Sequence, residues 1–150
     1  MRILIFCAEY LPGTLGGALR AVEGVVSHLG SEHDFHLIAR DRAELSTQPY
    51  EGVEPGQWSR QGNAVVYHAA PSDLVPNRMA AVAGAVRADA YYTNSLFSPA
   101  FGSLPVLLRW AGAIPRRPLV IAPRGELHPG SLQLKRFKKR AFIRLARALP

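Results

Sequence analysis

Apolar residues in this chain alternate between short unbroken runs and spacings of three and four, the patterns of buried strands and of one-sided helices. A run over residues 2–7 predicts the first strand. The loop Tyr10-Leu-Pro-Gly-Thr-Leu-Gly-Gly17 is rich in turn residues. After it, Leu19, Val22, Val26 and Leu29 mark a helix over 18–29 that stops at Gly30. Residues 35–39 predict a second strand. Residues 42–62 hold Pro49, Gly52, Pro55, Gly56 and Gly62 among polar neighbours and predict a long loop. A third strand is predicted over 64–68, followed by a helix that Asp73 caps and that runs to Arg87. Strands over 90–93 and 119–122 flank a helix over 101–110, and a last helix is predicted over 132–149. The 119–122 run, bounded by Pro118 and Pro123, reads as a buried strand.

Strands and helices therefore alternate, and each crossover is long enough for a right-handed βαβ unit. The expected class is α/β: a doubly wound, Rossmann-like parallel sheet. A chain of 150 residues, 48% of them hydrophobic, fits one ordinary domain with a substantial core. No apolar run is long enough to cross a bilayer. The apolar N-terminus has too short a core for a signal peptide, and Glu9 arrives before any cleavage pattern, so a cytoplasmic protein is expected. The single cysteine, Cys7, falls inside the first strand and is expected to be buried and inert.

Charge changes the picture only at one end. Seven of the eighteen basic residues, from Lys135 to Arg147, follow Leu134 without an acid among them. The other eleven balance the eleven acids of the chain. One basic terminal element does not make a nucleic-acid surface, on which cations spread over a face with aromatics between them. That element also carries Leu132, Leu134, Phe137, Phe142, Ile143 and Leu145. It suits an anionic membrane surface, peripheral to an inner membrane, or equally a cover for the sheet with its cations in solvent.

Ligands of open α/β sheets bind beyond the carboxyl ends of the strands, and three motifs fall there. Gly16 and Gly17 would let a helix start approach an anion closely, or would only serve a tight loop. Their spacing with Gly13 does not meet G-x-G-x-x-G, and there is no Walker lysine, so neither a nicotinamide nor an ATP site is expected. Arg20, one turn into that helix, suits a nearby anion or plain solvent. Asn94 and Ser95, after Thr93, suit sugar hydroxyls or a turn before Pro99. The densest cluster is Arg124, Gly125, Glu126 and His128. An arginine can hold a phosphate in a fork, and Glu126 or His128 can accept a proton from an attacking hydroxyl; equally, Arg124 and Glu126 could pair with each other. His28, His33, His36 and His68 lack metal-ligand spacing, so no metal is expected.

Taken in order, these segments resemble the N-terminal half of retaining, GT-B fold glycosyltransferases of family 4 (group 1). The opening Met-Arg-Ile-Leu-Ile-Phe-Cys-Ala-Glu-Tyr-Leu-Pro is similar to that family's first strand and Tyr/Pro loop. Gly16-Gly17-Ala18-Leu19-Arg20 is similar to its G-G-x-E/Q-R element, with Leu19 in place of the acid or amide. Asp89-Ala-Tyr-Tyr-Thr-Asn-Ser-Leu-Phe-Ser98 is similar to its D-v-v-h-x-H/N-s segment. Ala122-Pro-Arg-Gly-Glu-Leu-His-Pro129, with the lysines and arginines from Lys135 to Arg140, is similar to P-R/H-G-x-L-x-P…K-K of polysaccharide-building members. Many of those members carry histidine where Arg124 stands.

The resemblance implies transfer of a sugar, with retention, from a nucleotide-sugar donor to a glycan or lipid-linked acceptor, without cofactor or metal. It implies catalytic roles for Arg124 and Glu126, and substrate contacts for Gly16, Gly17, Arg20, Asn94, Ser95, Gly125 and His128. Residues 1–150 would be the acceptor-side domain. The C-terminal domain that binds the nucleotide-sugar lies outside these residues, and alone they are expected to be inactive. The competing expectations are a non-enzymatic flavodoxin-like binding module and a membrane-surface adaptor acting through the basic end.

Overall fold

The computed structural model describes residues 1–13, 16–128 and 130 of the chain. Six strands form one sheet: β1 (Arg2–Phe6), β2 (Asp34–Arg40), β3 (Trp58–Gln61), β4 (Ala64–Ala69), β5 (Ala90–Thr93) and β6 (Leu119–Ile121). Among the described residues the α-helices are α1 (Gly17–Leu29), α2 (Pro76–Ala85) and α3 (Leu104–Trp110), the last entered through a π-helical turn at Pro99–Ser103. The strand order is β3-β4-β2-β1-β5-β6, parallel throughout except for the antiparallel pair β3–β4. This is an α/β fold compatible with the Rossmann-like class.

The unbroken apolar runs follow from a sheet covered on both faces, where both sets of alternate side chains need apolar neighbours. From β1, Ile5 joins Leu19, Val22 and Val26 of α1 together with Phe35, Leu37 and Val66. Leu4 and Phe6 point the other way, to Met79 and Ala83 of α2, Leu108 of α3, and Tyr91 and Phe101. Each such fully buried side chain contributes about 1.5–3 kcal/mol, so the two clusters dominate stability. At the amino edge Arg2 ties the sheet together, donating to Asp34 at 2.7 Å, while its backbone N–H donates to Asp89 at 2.8 Å.

The chain leaves β1 for β2 on one side and later comes back to β5 on the other. That reversal opens a crevice between the carboxyl ends of β1 and β5, the switch point at which such sheets bind ligands.

Three expectations need correction. Residues 58–61 lie within the expected loop yet form β3, joined to β4 through the two-residue turn Gly62-Asn63, with Gly62 at φ +57°. Asp73 does not cap α2: it closes a 3₁₀ turn (Pro71–Asp73), its carboxylate accepting from the Ala70 N–H at 3.1 Å. The helix itself starts at Pro76, whose missing N–H is free of cost there. The last strand, β6, is an edge strand rather than a buried one, with Val120 56% and Ile121 37% exposed. Gly30 does end α1, at φ −69°, through a close approach: a Cβ there would overlap Asn63 and the Val26 carbonyl. The helix expected over 132–149, with its cations from Lys135 to Arg147, lies outside the described residues.

Candidate functional site

The three sequence motifs meet at the crevice between β1 and β5. Asn94 follows β5, and its backbone N–H donates to the Phe6 carbonyl at 3.0 Å, which locks it against the end of β1. Its side-chain amide donates to the carbonyl of Ala18, in the first turn of α1, at 2.9 Å. Its side-chain oxygen accepts from Arg124 Nε at 2.7 Å. Arg124 Nη2 in turn donates to the Tyr92 hydroxyl at 2.7 Å. One chain of hydrogen bonds therefore runs from the start of α1, across the end of β5, to the loop after β6.

Tyr92 has no place among the residues that sequence reasoning picks out. The available signal was strand parity: Tyr92 packs on the same face as α1, whereas Tyr91 lies in the opposite cluster. An aromatic on that face, one position before the strand ends, stands where an arginine in the next loop can reach it.

Arg124 has φ +51°, the left-handed region that a non-glycine residue rarely adopts. The adjacent Gly125 would accept that conformation freely, yet the arginine bears it. Steric cost in this region is about 1–2 kcal/mol. Two hydrogen bonds at 2.7 Å hold the exposed guanidinium in place against it. Such strain concentrates where a side chain must point in one direction.

Glu126 is engaged differently. Ser95 Oγ donates to one carboxylate oxygen at 2.7 Å; the Leu96 N–H, at 2.6 Å, and the Phe97 N–H, at 3.4 Å, donate to the other. Ser95 Oγ also accepts from the Ser98 N–H at 3.0 Å. Glu126 thus organises the loop after β5, and it does not pair with Arg124, whose bonds go to Asn94 and Tyr92.

Gly16 and Gly17 stand at the start of α1, exposed, and a Cβ on either would meet nothing within 4 Å among the described residues. Gly16 is the N-cap at φ −75° and Gly17 is helical, so neither needs glycine torsions. That disposes of glycine torsions as the explanation for the pair and leaves the first turn uncapped and open among the described residues. Gly16 has no side chain with which to satisfy the first N–H groups. Arg20 lies one turn on, exposed, with no side-chain hydrogen bond or ion pair among the described residues. Gly125 is exposed in the same loop as Arg124. His128 stands away from the network, exposed, with Nδ1 accepting from the Gly130 N–H at 3.3 Å.

Cys7, at the end of β1, is fully buried, and loss of water pushes its thiol up to about 12. It is no nucleophile. No cluster of histidine, cysteine and carboxylate suited to a metal ion occurs among the described residues. No helix among them is long and apolar enough to cross a membrane.

The arrangement offers a fixed guanidinium and, among the described residues, uncapped helix-start N–H groups and open space beside two glycines, all at the switch point of the sheet. That combination suits an oxyanion, with small polar side chains at hand for hydroxyls. Comparison of the chain with protein-family models, with curated proteins and with solved structures finds no match.

Proposed function

We propose that residues 1–150 are the N-terminal, acceptor-side half of a GT-B fold, retaining glycosyltransferase. It would pass a sugar from a nucleotide-sugar to a glycan or lipid-linked acceptor. One observation carries the reading: the bonded series Ala18–Asn94–Arg124–Tyr92 joins, at one crevice, three motifs distant in sequence that together resemble that family.

In this reading Arg124 is catalytic. With Nε and Nη2 already engaged, its remaining N–H groups face a departing nucleotide diphosphate and stabilise its growing negative charge. The open helix start at Gly16 and Gly17 shares that anion, with Arg20 adding charge from one turn away. Asn94 positions Arg124. Glu126, its oxygens taken by three donors, positions Ser95 and the following loop instead of moving a proton. Gly125 and His128 line the outer rim. The second, nucleotide-sugar-binding domain closes the cleft, and the basic residues from Lys135 to Arg147 hold the enzyme at an anionic membrane where the acceptor is lipid-linked.

The test is direct. The 150-residue chain and a form extended through its downstream reading frame are assayed against a panel of nucleotide-sugars. The anomeric configuration of the product is read by NMR. Turnover with retention by the extended form alone is the expected result. Tight flavin binding by the isolated chain, or vesicle binding as the sole activity of the extended form, overturns the reading.

A further inference from the structure

A second cleft, of about 610 Å³, lies beyond the carboxyl ends of β2 and β4, on the other side of β1 from Arg124. Its distinguishing group is Arg40, the last residue of β2, whose backbone N–H donates to the Ala8 carbonyl at 3.2 Å. The side chain is only 21% exposed, and its guanidinium carbon sits 5.7 Å from the centre of the buried Phe101 ring. Its one charged partner among the described residues is Glu44, at 3.8 Å, beyond hydrogen-bond length and itself 75% exposed. A largely buried guanidinium with five donors and no hydrogen bond among the described residues is an unfinished arrangement.

The neighbouring arginine makes the contrast. Arg42 is bound in a fork by the fully buried Asp41, at 2.7 and 2.8 Å, and donates to the Thr47 carbonyl as well. Its charge is matched within the protein. Arg40 is pre-set by its aromatic ring and left with donors facing the cleft. The rest of the lining is apolar (Ala43, Ala69, Pro71, Leu74) with the Thr47 hydroxyl beside it, the Ser46 hydroxyl being taken by the Gln48 backbone; this suits the C–H face and one edge of a sugar ring.

We propose that this cleft is an anion subsite in which Arg40, laid on Phe101, receives a carboxylate or phosphate carried by a sugar-sized ligand, which displaces Glu44. The surroundings favour the exchange. Glu44 holds its place only weakly, as an exposed carboxylate at that distance in water. An incoming oxyanion that meets the guanidinium in a fork gains two short charge-assisted bonds. The proposal stands whether or not the chain transfers a sugar, because its readout is binding.

The experiment titrates the full 150-residue chain with glucuronate, glucose 1-phosphate and glucose, following backbone amide shifts at the ends of β2 and β4. The two anions should perturb those amides and glucose should not, and the stronger of the two identifies carboxylate or phosphate as the group the cleft takes. Arg40→Gln should weaken anion binding about ten- to a hundredfold. Arg40→Lys, which keeps charge but loses the fork, should fall between. Glu44→Gln should tighten binding severalfold, an effect that a merely structural Arg40 would not produce and that an exposed position tolerates without unfolding. Equal shifts with glucose, no shift with either anion, or affinities unchanged in both Arg40→Gln and Glu44→Gln would overturn the proposal.

Discussion

The Glu126 carboxylate accepts from the Ser95 hydroxyl at 2.7 Å across thirty-one positions of sequence, so the loop after β6 sets the shape of the loop after β5. With the Leu96 and Phe97 N–H groups on its other oxygen, Glu126 fixes one side of a segment whose Leu96 carbonyl also accepts from the Ser103 hydroxyl at 3.3 Å. Replacing it with alanine should cost about 1–3 kcal/mol, the loss expected when part-buried donors lose a charged acceptor. Glutamine should recover part of this, since its carbonyl can still accept while its amide turns a donor towards N–H groups. Denaturant titration of Glu126→Ala and Glu126→Gln checks the order. If both variants match the parent in stability, Glu126 has no structural duty and the proton-transfer role returns.

Arg124 bears both strain and bonds, and the two can be separated. Arg124→Gly removes the bonds and also the steric cost at φ +51°, whereas Arg124→Ala removes only the bonds. The glycine variant should be the more stable of the two, by about 1 kcal/mol. In the proposed two-domain enzyme both should lose about ten- to a hundredfold in kcat/KM, with lysine rescuing only partly. Melting temperatures and steady-state kinetics on the three variants decide it. An alanine variant at least as stable as the glycine one would mean that the left-handed backbone costs nothing.

Gly17 offers a clean contrast between folding and function. Its torsions are helical and a Cβ there meets nothing among the described residues, so Gly17→Ala should stabilise α1 by about 0.5–1 kcal/mol. Gly17→Val should fold as well, yet should cut transfer in the proposed two-domain enzyme sharply, because its branches fill the space that the anion would use. A valine variant that both folds and turns over normally would show that no ligand approaches this helix start.

How much of this was legible in the chain differs from element to element. The strands at residues 2–6 and 90–93 and the helix from Gly17 announce themselves because both sheet faces and one helix face must be apolar. Trp58–Gln61 did not, since an antiparallel edge strand needs little burial and its polar Ser59 and Arg60 look like loop; the two-residue Gly62-Asn63 turn was the usable cue. Asp73 looked like a cap because spacing cannot tell whether a carboxylate reaches forward to a helix or back to Ala70. In the site, composition at a strand end pointed to Arg124, Asn94 and Ser95. It could not reveal that Arg124 reaches Tyr92 while Glu126 turns to Ser95, because hydrogen-bond choice depends on side-chain direction across strands.

The last prediction concerns acid. His68 is almost fully buried on β4, and burial holds its imidazole below the ordinary value of 6.5. Nδ1 lies 3.3 Å from the Arg40 carbonyl, which can only accept, so the proton sits there and Nε2 turns its lone pair to the Gln61 amide at 3.0 Å. His36 on β2 is held low for the same reason, against the opposing pull of Asp34. A histidine whose folded value is depressed binds more protons unfolded than folded, so stability rises with pH across that interval. The contribution is complete above 6.5 and is lost as pH falls from there through the folded value. Charging His68 would also set an N–H against the Gln61 amide and force that amide to rotate, loosening β3 from β4. Denaturant midpoints should therefore fall between pH 7.5 and pH 5, and His68→Asn, though less stable at neutral pH, should show a flatter profile over the same interval. A midpoint that holds steady or rises on acidification of the parent, or an equally steep slope in His68→Asn, would remove His68 as the source of the acid sensitivity.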